Sequence, residues 1–389
     1  MTATTFPNEQ IVLRPGMIEL QWGHPDPALL PVEAVREATL AALAEFGPIP
    51  LAYGASRGAG PLLAWLCERI ARAEGRRVAP EEIVLTAGNS WALDQVCTLC
   101  TEPGDVALVE SPTYHLAVRI LREHPLALVP VPADEHGLDI AALADTIAGL
   151  RRAGKRPRLL YTVPTFHNPT GASLCAERRR ALVELAATEG LTIVEDDVYR
   201  ELAYDSPAPP SLWSLAPAGT VVRLGSFSKA LAPGLRLGWL NGDAALVSRL
   251  ADGGLLDSGG GVNPLGANIA AALCRAGGYD TQVARLRVAY RERRDALLAG
   301  LAAHLPSGCA WETPAGGFFV WVRLPEELDA AALLPRVEAT GVSYLPGACC
   351  HLDGGGTNTL RLAFSYYGPA DLAEGARRLG SGLRAACVR

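Results

Sequence analysis

At 389 residues the chain exceeds the roughly 250–300 at which a single core stops growing, which implies two domains. Its 49% hydrophobic and 20% charged residues describe a globular protein, and a net charge of −6 argues against a nucleic-acid surface. No apolar run reaches the ~20 residues of a bilayer span, and residues 1–10 lack the order of a leader peptide, so no membrane association and a cytoplasmic location are expected.

A proline-punctuated arm (Pro15, Pro25, Pro27, Pro31) precedes helical patterns at Val32–Phe46 and 62–73. From Glu82 onward, short β-rich runs alternate with helical segments such as 176–188. The runs are Ile83–Thr86, 106–109, 126–129, 159–163, 192–194 and 221–224, an α/β signature of a mainly parallel sheet covered by helices on both faces. The rhythm changes near Gly259-Gly260-Gly261. A long Arg-rich helix at 282–304, strand-like runs at 318–322, 342–345 and 359–364, and a helix at 369–385 then describe a smaller α+β domain. The expected division is an arm at 1–30, a large domain at 31–268 and a small C-terminal domain at 269–389.

Lysine usage singles out one residue. The chain has two lysines, Lys155 and Lys229, which leaves 33 arginines among its 35 basic residues. Lys155 lies in a charge run, Arg151-Arg152-Ala153-Gly154-Lys155-Arg156. Lys229 lies in Ser226-Phe227-Ser228-Lys229-Ala230, just past a strand-like run. Arginine can replace lysine as a cation but cannot lose its proton and attack a carbonyl, which makes Lys229 a candidate Schiff-base amine.

Polar residues cluster where other strand patterns stop, as ligand groups do in open α/β sheets. Glu195-Asp196-Asp197-Val198-Tyr199 follows one run and Phe166-His167-Asn168-Pro169-Thr170-Gly171 another. Gly88-Asn89-Ser90 opens a helix, a suitable seat for a phosphate. Taken as a set, these segments and Gly23-His24-Pro25 resemble the fold type I class I/II aminotransferases, which use pyridoxal 5′-phosphate (PLP). They are similar to the 2-aminoadipate aminotransferase group and to the aminotransferase-like half of MocR-type regulators, over nearly the whole chain.

The resemblance implies a role for each residue. Lys229 would hold the cofactor as a Schiff base, and Asp196 would pair with its pyridine nitrogen. Asn168 and Tyr199 would bond the ring oxygen, and Tyr114 would stack on the ring. Gly88, Asn89, Ser90, Ser226 and Arg236 would form the phosphate cup. Tyr53 would reach the phosphate of a partner subunit, implying a homodimer with shared sites. Arg361, with Asn168 and Gly23, would bind the α-carboxylate of an amino acid or 2-oxo acid. The implied activity is transamination. The alternatives are diversion of the quinonoid to elimination, substitution, cyclisation or oxidation, or a MocR-like sensor without a DNA-binding domain.

Some segments depart from the group. His167 replaces a common glutamine and reads as a hydrogen-bonded spacer, the alternative being a titratable neighbour that tunes the cofactor. Trp22 and His24 flank Gly23 beside the expected substrate, and Gly259-Gly260-Gly261 suggests extra room or mobility near the pocket. Cys349-Cys350-His351 lacks the further ligand a metal needs, so no metal is expected.

Overall fold

The computed structural model describes residues 10, 11 and 13–387; residues 1–9, which fall in the leader and arm readings, lie outside them. The arm enters as strand β1 (Ile18–Glu19). The central sheet is built from β2 (Ile83–Thr86), β3 (Val106–Ser111), β4 (Ala127–Asp134), β5 (Gly137–Leu138), β6 (Pro157–Thr162), β7 (Thr192–Asp196), β8 (Val221–Ser226) and β9 (Gly238–Asn241). Their spatial order is β2-β9-β8-β7-β6-β3-β4-β5. The consecutive neighbours β4, β3, β6, β7 and β8 are all parallel, and β9 is antiparallel to both β8 and β2. Helices packed on both faces bury the strands, so they read as apolar runs rather than as alternating ones.

Strand β9 was not legible because Gly238 and Asn241 leave only two apolar residues between them. It fits through mutual accommodation with β8. A Cβ on Gly225 would lie 2.1 Å from the Trp239 ring, so the missing side chain there makes room for the indole. Three strands also extend past their apolar runs. β3 includes Ser111, β7 includes Glu195 and Asp196, and β8 includes Ser226, because their backbones continue the ladder, as in Asp196 against Leu224.

The C-terminal sheet consists of β10 (Ala310–Trp311), β11 (Phe319–Arg323), β13 (Leu345–Pro346) and β14 (Thr359–Ala363), antiparallel in the order β10-β11-β14-β13. The run expected at 342–345 breaks at Tyr344, whose buried hydroxyl donates to Ala330 O at 2.6 Å. Its first half, β12 (Val342–Ser343), pairs instead with the arm strand β1, in parallel. Helices Gly278–His304 and Pro369–Cys387 pack against each other beside this sheet.

Candidate active site

The polar ends of β7, β8 and β6 and the start of the helix Asn89–Cys100 meet beside the arm. Strand alternation separates the three acids of β7 and the turn that follows it. The buried Asp196 carboxylate accepts from Asn89 Nδ2 at 2.6 Å and from Tyr161 Oη at 2.7 Å. Burial pushes the Asp196 carboxyl up, and these two hydrogen bonds and the charge of Lys229 work against that rise. Glu195 accepts from the Leu212 and Trp213 amides at 2.8 and 2.9 Å. Asp197 is bound by Arg223 Nε at 2.9 Å and Arg200 Nε at 2.5 Å, and Arg223 also reaches Glu74 at 3.0 Å. Asp196 is thus fixed on one side while Glu195 is held by backbone amides and Asp197 is neutralised by arginines on the other. Tyr161 was missed in the sequence because a tyrosine inside an apolar strand run reads as core.

Lys229 is half-buried, and its Nζ donates to Gly23 O at 3.1 Å. Burial lowers its pKa to about 8; the charges of Arg361 and Arg236 act in the same direction, and Asp196 opposes them. Arg361 is 4% exposed and stacks on Phe319, its Cζ 4.2 Å from the ring centroid. Its Nη1 donates to Asn168 Oδ1 at 2.8 Å and its Nη2 to Gln21 O at 2.6 Å, while Nε is buried without a partner. A carbon on Gly23 would come 2.5 Å from the Phe319 ring, so glycine is required there. Lysine and arginine therefore hold carbonyls two residues apart on the same arm segment, and they line one cleft.

Asn168 is presented by the turn after β6. His167 braces that turn, its Nε2 3.1 Å from the buried Glu110 carboxylate and its Nδ1 2.9 Å from Thr170 Oγ1. Arg179 fastens the same turn from behind through Leu174 O at 2.8 Å and Thr165 Oγ1 at 2.9 Å. Tyr199 is buried, edge-on to Phe318 and Phe319 at 5.4 and 6.0 Å, and burial raises its hydroxyl pKa. Tyr114 is half-buried ahead of the helix His115–Arg122; burial pushes its hydroxyl up to about 12, and the Asp196 charge adds to that.

Arg236, in a left-handed conformation (φ 48°), donates through Nη2 to Ala87 O at 2.9 Å. A Cβ on Gly88 would lie 2.7 Å from that nitrogen. The guanidinium and the helix N-terminus at Asn89 share a space that any side chain at 88 would fill. Ser226 is buried and accepts from the Ser228 amide at 3.0 Å, whereas Ser90 is exposed on the first turn.

Tyr53 stands apart, 86% exposed. The Gly259-Gly260-Gly261 segment does not open the pocket as expected. A carbon on Gly261 would come 2.2 Å from Ala55 O and one on Gly260 2.8 Å from Gly54 N, so the glycines allow two backbones to pack together beside Tyr53. The Cys349-Cys350-His351 turn is a fastening. Cys350 O accepts from Thr113 N at 2.8 Å, and His351 Nδ1 lies 3.1 Å from Ser111 Oγ. Among the described residues, no group of three or more His, Cys, Asp or Glu could hold a metal.

The architecture and this cleft define a class that comparison identifies. The family described as aminotransferase class I and II matches residues 16–379. The chain is 36% identical to the 2-aminoadipate transaminase of Thermus thermophilus, covering 96% of this chain and 92% of that one. It is 33% identical to the aromatic-amino-acid aminotransferase 1 of Thermococcus litoralis, covering 95% and 88%. The structure of LysN, an α-aminoadipate aminotransferase from Thermus thermophilus complexed with N-(5′-phosphopyridoxyl)-L-leucine, superposes with a TM-score of 0.86 at 35% identity, covering 96% and 93%.

The chain belongs to the class I and II aminotransferases and is a PLP-dependent enzyme of fold type I. Its residues fit that cofactor. The cradle between Gly88 and Arg236 suits a phosphate, and a half-buried amine of lowered basicity suits an aldehyde.

Proposed function

We propose that Lys229 holds PLP covalently and that the cleft it shares with Arg361 exchanges an amino group between an L-α-amino acid and a 2-oxo acid. The observation that carries this reading is the pair of bonds from Lys229 to Gly23 O and from Arg361 to Gln21 O, which sets a nucleophilic amine beside a carboxylate-binding guanidinium. When bound, the cofactor supplies an electron sink that acidifies the Cα–H bond of the substrate. Asp196 would hold a proton on the pyridine nitrogen. Asn168 and Tyr199 would bond the ring oxygen, and Tyr114 would lie against the ring. Gly88, Asn89, Ser90, Ser226 and Arg236 would hold the phosphate. Arg361, with Asn168 and Gly23, would orient the α-carboxylate, and Lys229 Nζ would take the Cα proton.

The test is spectroscopic. Adding a single amino donor should bleach the visible band of the lysine-bound cofactor, and a 2-oxo acid should restore it. A donor that gives product without this exchange would sink the reading. Tyr161→Phe is expected to remove a hydrogen bond that favours ionised Asp196, lowering kcat about tenfold. The acid limb of the pH–rate profile should move to higher pH. An unmoved limb would show that Tyr161 only packs.

The same reading includes a homodimer, an arm at 1–30, a large PLP domain at 31–268 and a small domain at 269–389, with helix Pro264–Arg275 crossing the junction. The exposed apolar residues Val32, Leu40, Ile49 and Leu51, in the stretch of chain that leads to Tyr53, support a subunit interface that presents Tyr53 to a partner. Among the described residues, Cys67, Cys97, Cys100, Cys175, Cys274, Cys349 and Cys350 form no disulfide, which favours the cytoplasm. The relatives favour aromatic and aminoadipate-like side chains.

A further inference from the structure

Three buried ring nitrogens beside the cleft have no hydrogen-bond partner: Trp22 Nε1, His24 Nδ1 and His115 Nδ1. Buried polar atoms are normally satisfied, so orphans gathered near a binding cleft point to a ligand. His24 is the best placed. It follows Gly23, whose carbonyl accepts from Lys229, and its own carbonyl accepts from Ser365 Oγ at 2.8 Å. Its Nε2 lies 3.2 Å from Gln10 Oε1, and the Trp22 ring stands edge-on at 6.0 Å. With Arg361 on Gln21 O as well, the segment is pinned across the cleft and the imidazole is carried with it.

The charges acting on the His24 ring, those of Lys229 and Arg361, are both positive. Behind Ser365 stands Arg293, which donates to Ser365 O at 2.6 Å and is paired with Asp26 at 2.5 Å. The charges acting on His115 are Arg361 and Arg119. Burial and then these cations hold both imidazoles neutral down to about pH 4. Substrate binding removes much of that bias. The α-carboxylate neutralises Arg361, and in the PLP-loaded enzyme the covalent link would already have removed the free cationic amine of Lys229. A second carboxylate in the cleft then favours the protonated ring.

We propose that His24 determines substrate class: it takes a proton from solvent to bind the distal carboxylate of a dicarboxylic amino or 2-oxo acid, and stays neutral beside an uncharged side chain. One cleft thereby accepts acidic and aromatic partners in successive half-reactions, and the proton returns to solvent when the dicarboxylate leaves. This inference rests on the aminotransferase reading and extends it to the substrate.

The test compares L-glutamate with L-phenylalanine on the PLP-loaded enzyme between about pH 6 and 9, the range in which a histidine titrates. The wild-type KM for glutamate is expected to rise with pH, approaching about tenfold per unit at the alkaline end, while that for phenylalanine stays level. His24→Phe should lower kcat/KM for glutamate relative to phenylalanine about tenfold or more, through KM. His24→Arg should flatten the pH dependence for glutamate. Calorimetry of glutarate binding in two buffers of different ionisation heat should show about one proton taken up by the wild type and none by His24→Arg. A pH-independent glutamate KM in the wild type overturns the proposal. So does a His24→Phe enzyme that loses both substrates equally, or His115→Phe reproducing the effect in place of His24→Phe. If no amino acid donates its amine to the wild type, it is the aminotransferase reading that has failed.

Discussion

Lys229→Ala is expected to lose the covalent link to the cofactor and at least about a thousandfold in turnover, because in the proposed site one residue supplies both the anchoring amine and the base. The readout independent of activity is borohydride reduction followed by peptide mass. The wild-type peptide spanning residue 229 should gain the mass of the reduced cofactor, and any such gain elsewhere in the variant would refute the assignment. The environment of the wild-type amine sets a further expectation. With its pKa lowered to about 8 by burial and by the charges of Arg361 and Arg236, against that of Asp196, a fraction of free base is present at neutral pH. Capture of PLP by stripped protein should accelerate up to about pH 8 and then level off. A rate that kept climbing toward the ordinary lysine value of 10.5 would contradict the described setting.

Arg361→Met keeps an apolar stem on Phe319 but removes the guanidinium. Loss of a buried, hydrogen-bonded charge partner costs about 2–5 kcal/mol, so kcat/KM for amino acids should fall roughly 30- to 5,000-fold. The variant also leaves Asn168 Oδ1 and Gln21 O without their donor, so some of the loss could be structural. An amine donor without a carboxylate separates the two effects. If Arg361 acts by recognition, the variant and the wild type should process that donor at similar rates. Equal losses for both donors would reduce Arg361 to a brace for the Asn168 turn.

The large architecture was legible because buried parallel strands and the helices between them leave long, simple patterns. Helix Val32–Phe46 and strand Ile83–Thr86 were read to the residue for that reason. The pattern failed where tertiary contact outweighs local composition. Tyr344 splits one expected strand between two sheets, and β9 exists because Gly225 yields to Trp239. At the site, Lys229, Asp196 and Arg361 stood out by residue type and position. Tyr161, the support of Asp196, did not, since its role rests on one hydroxyl contact 35 positions along the chain. The purpose of Gly260 and Gly261 was equally hidden, because a close approach of two backbones leaves no trace beyond the glycines themselves.

The half-buried Lys229 and the exposed Lys155 are the only side-chain amines, and that gives the molecule an unusual reactivity map. With Lys229 occupied as proposed, an acylating reagent would find Lys155 and the α-amino group. A fluorophore or surface tether could therefore be directed to Lys155 without mutagenesis. Amine-bridging reagents, by contrast, would be nearly blind to how subunits assemble, so a negative crosslinking result on this protein would carry no information about its oligomeric state.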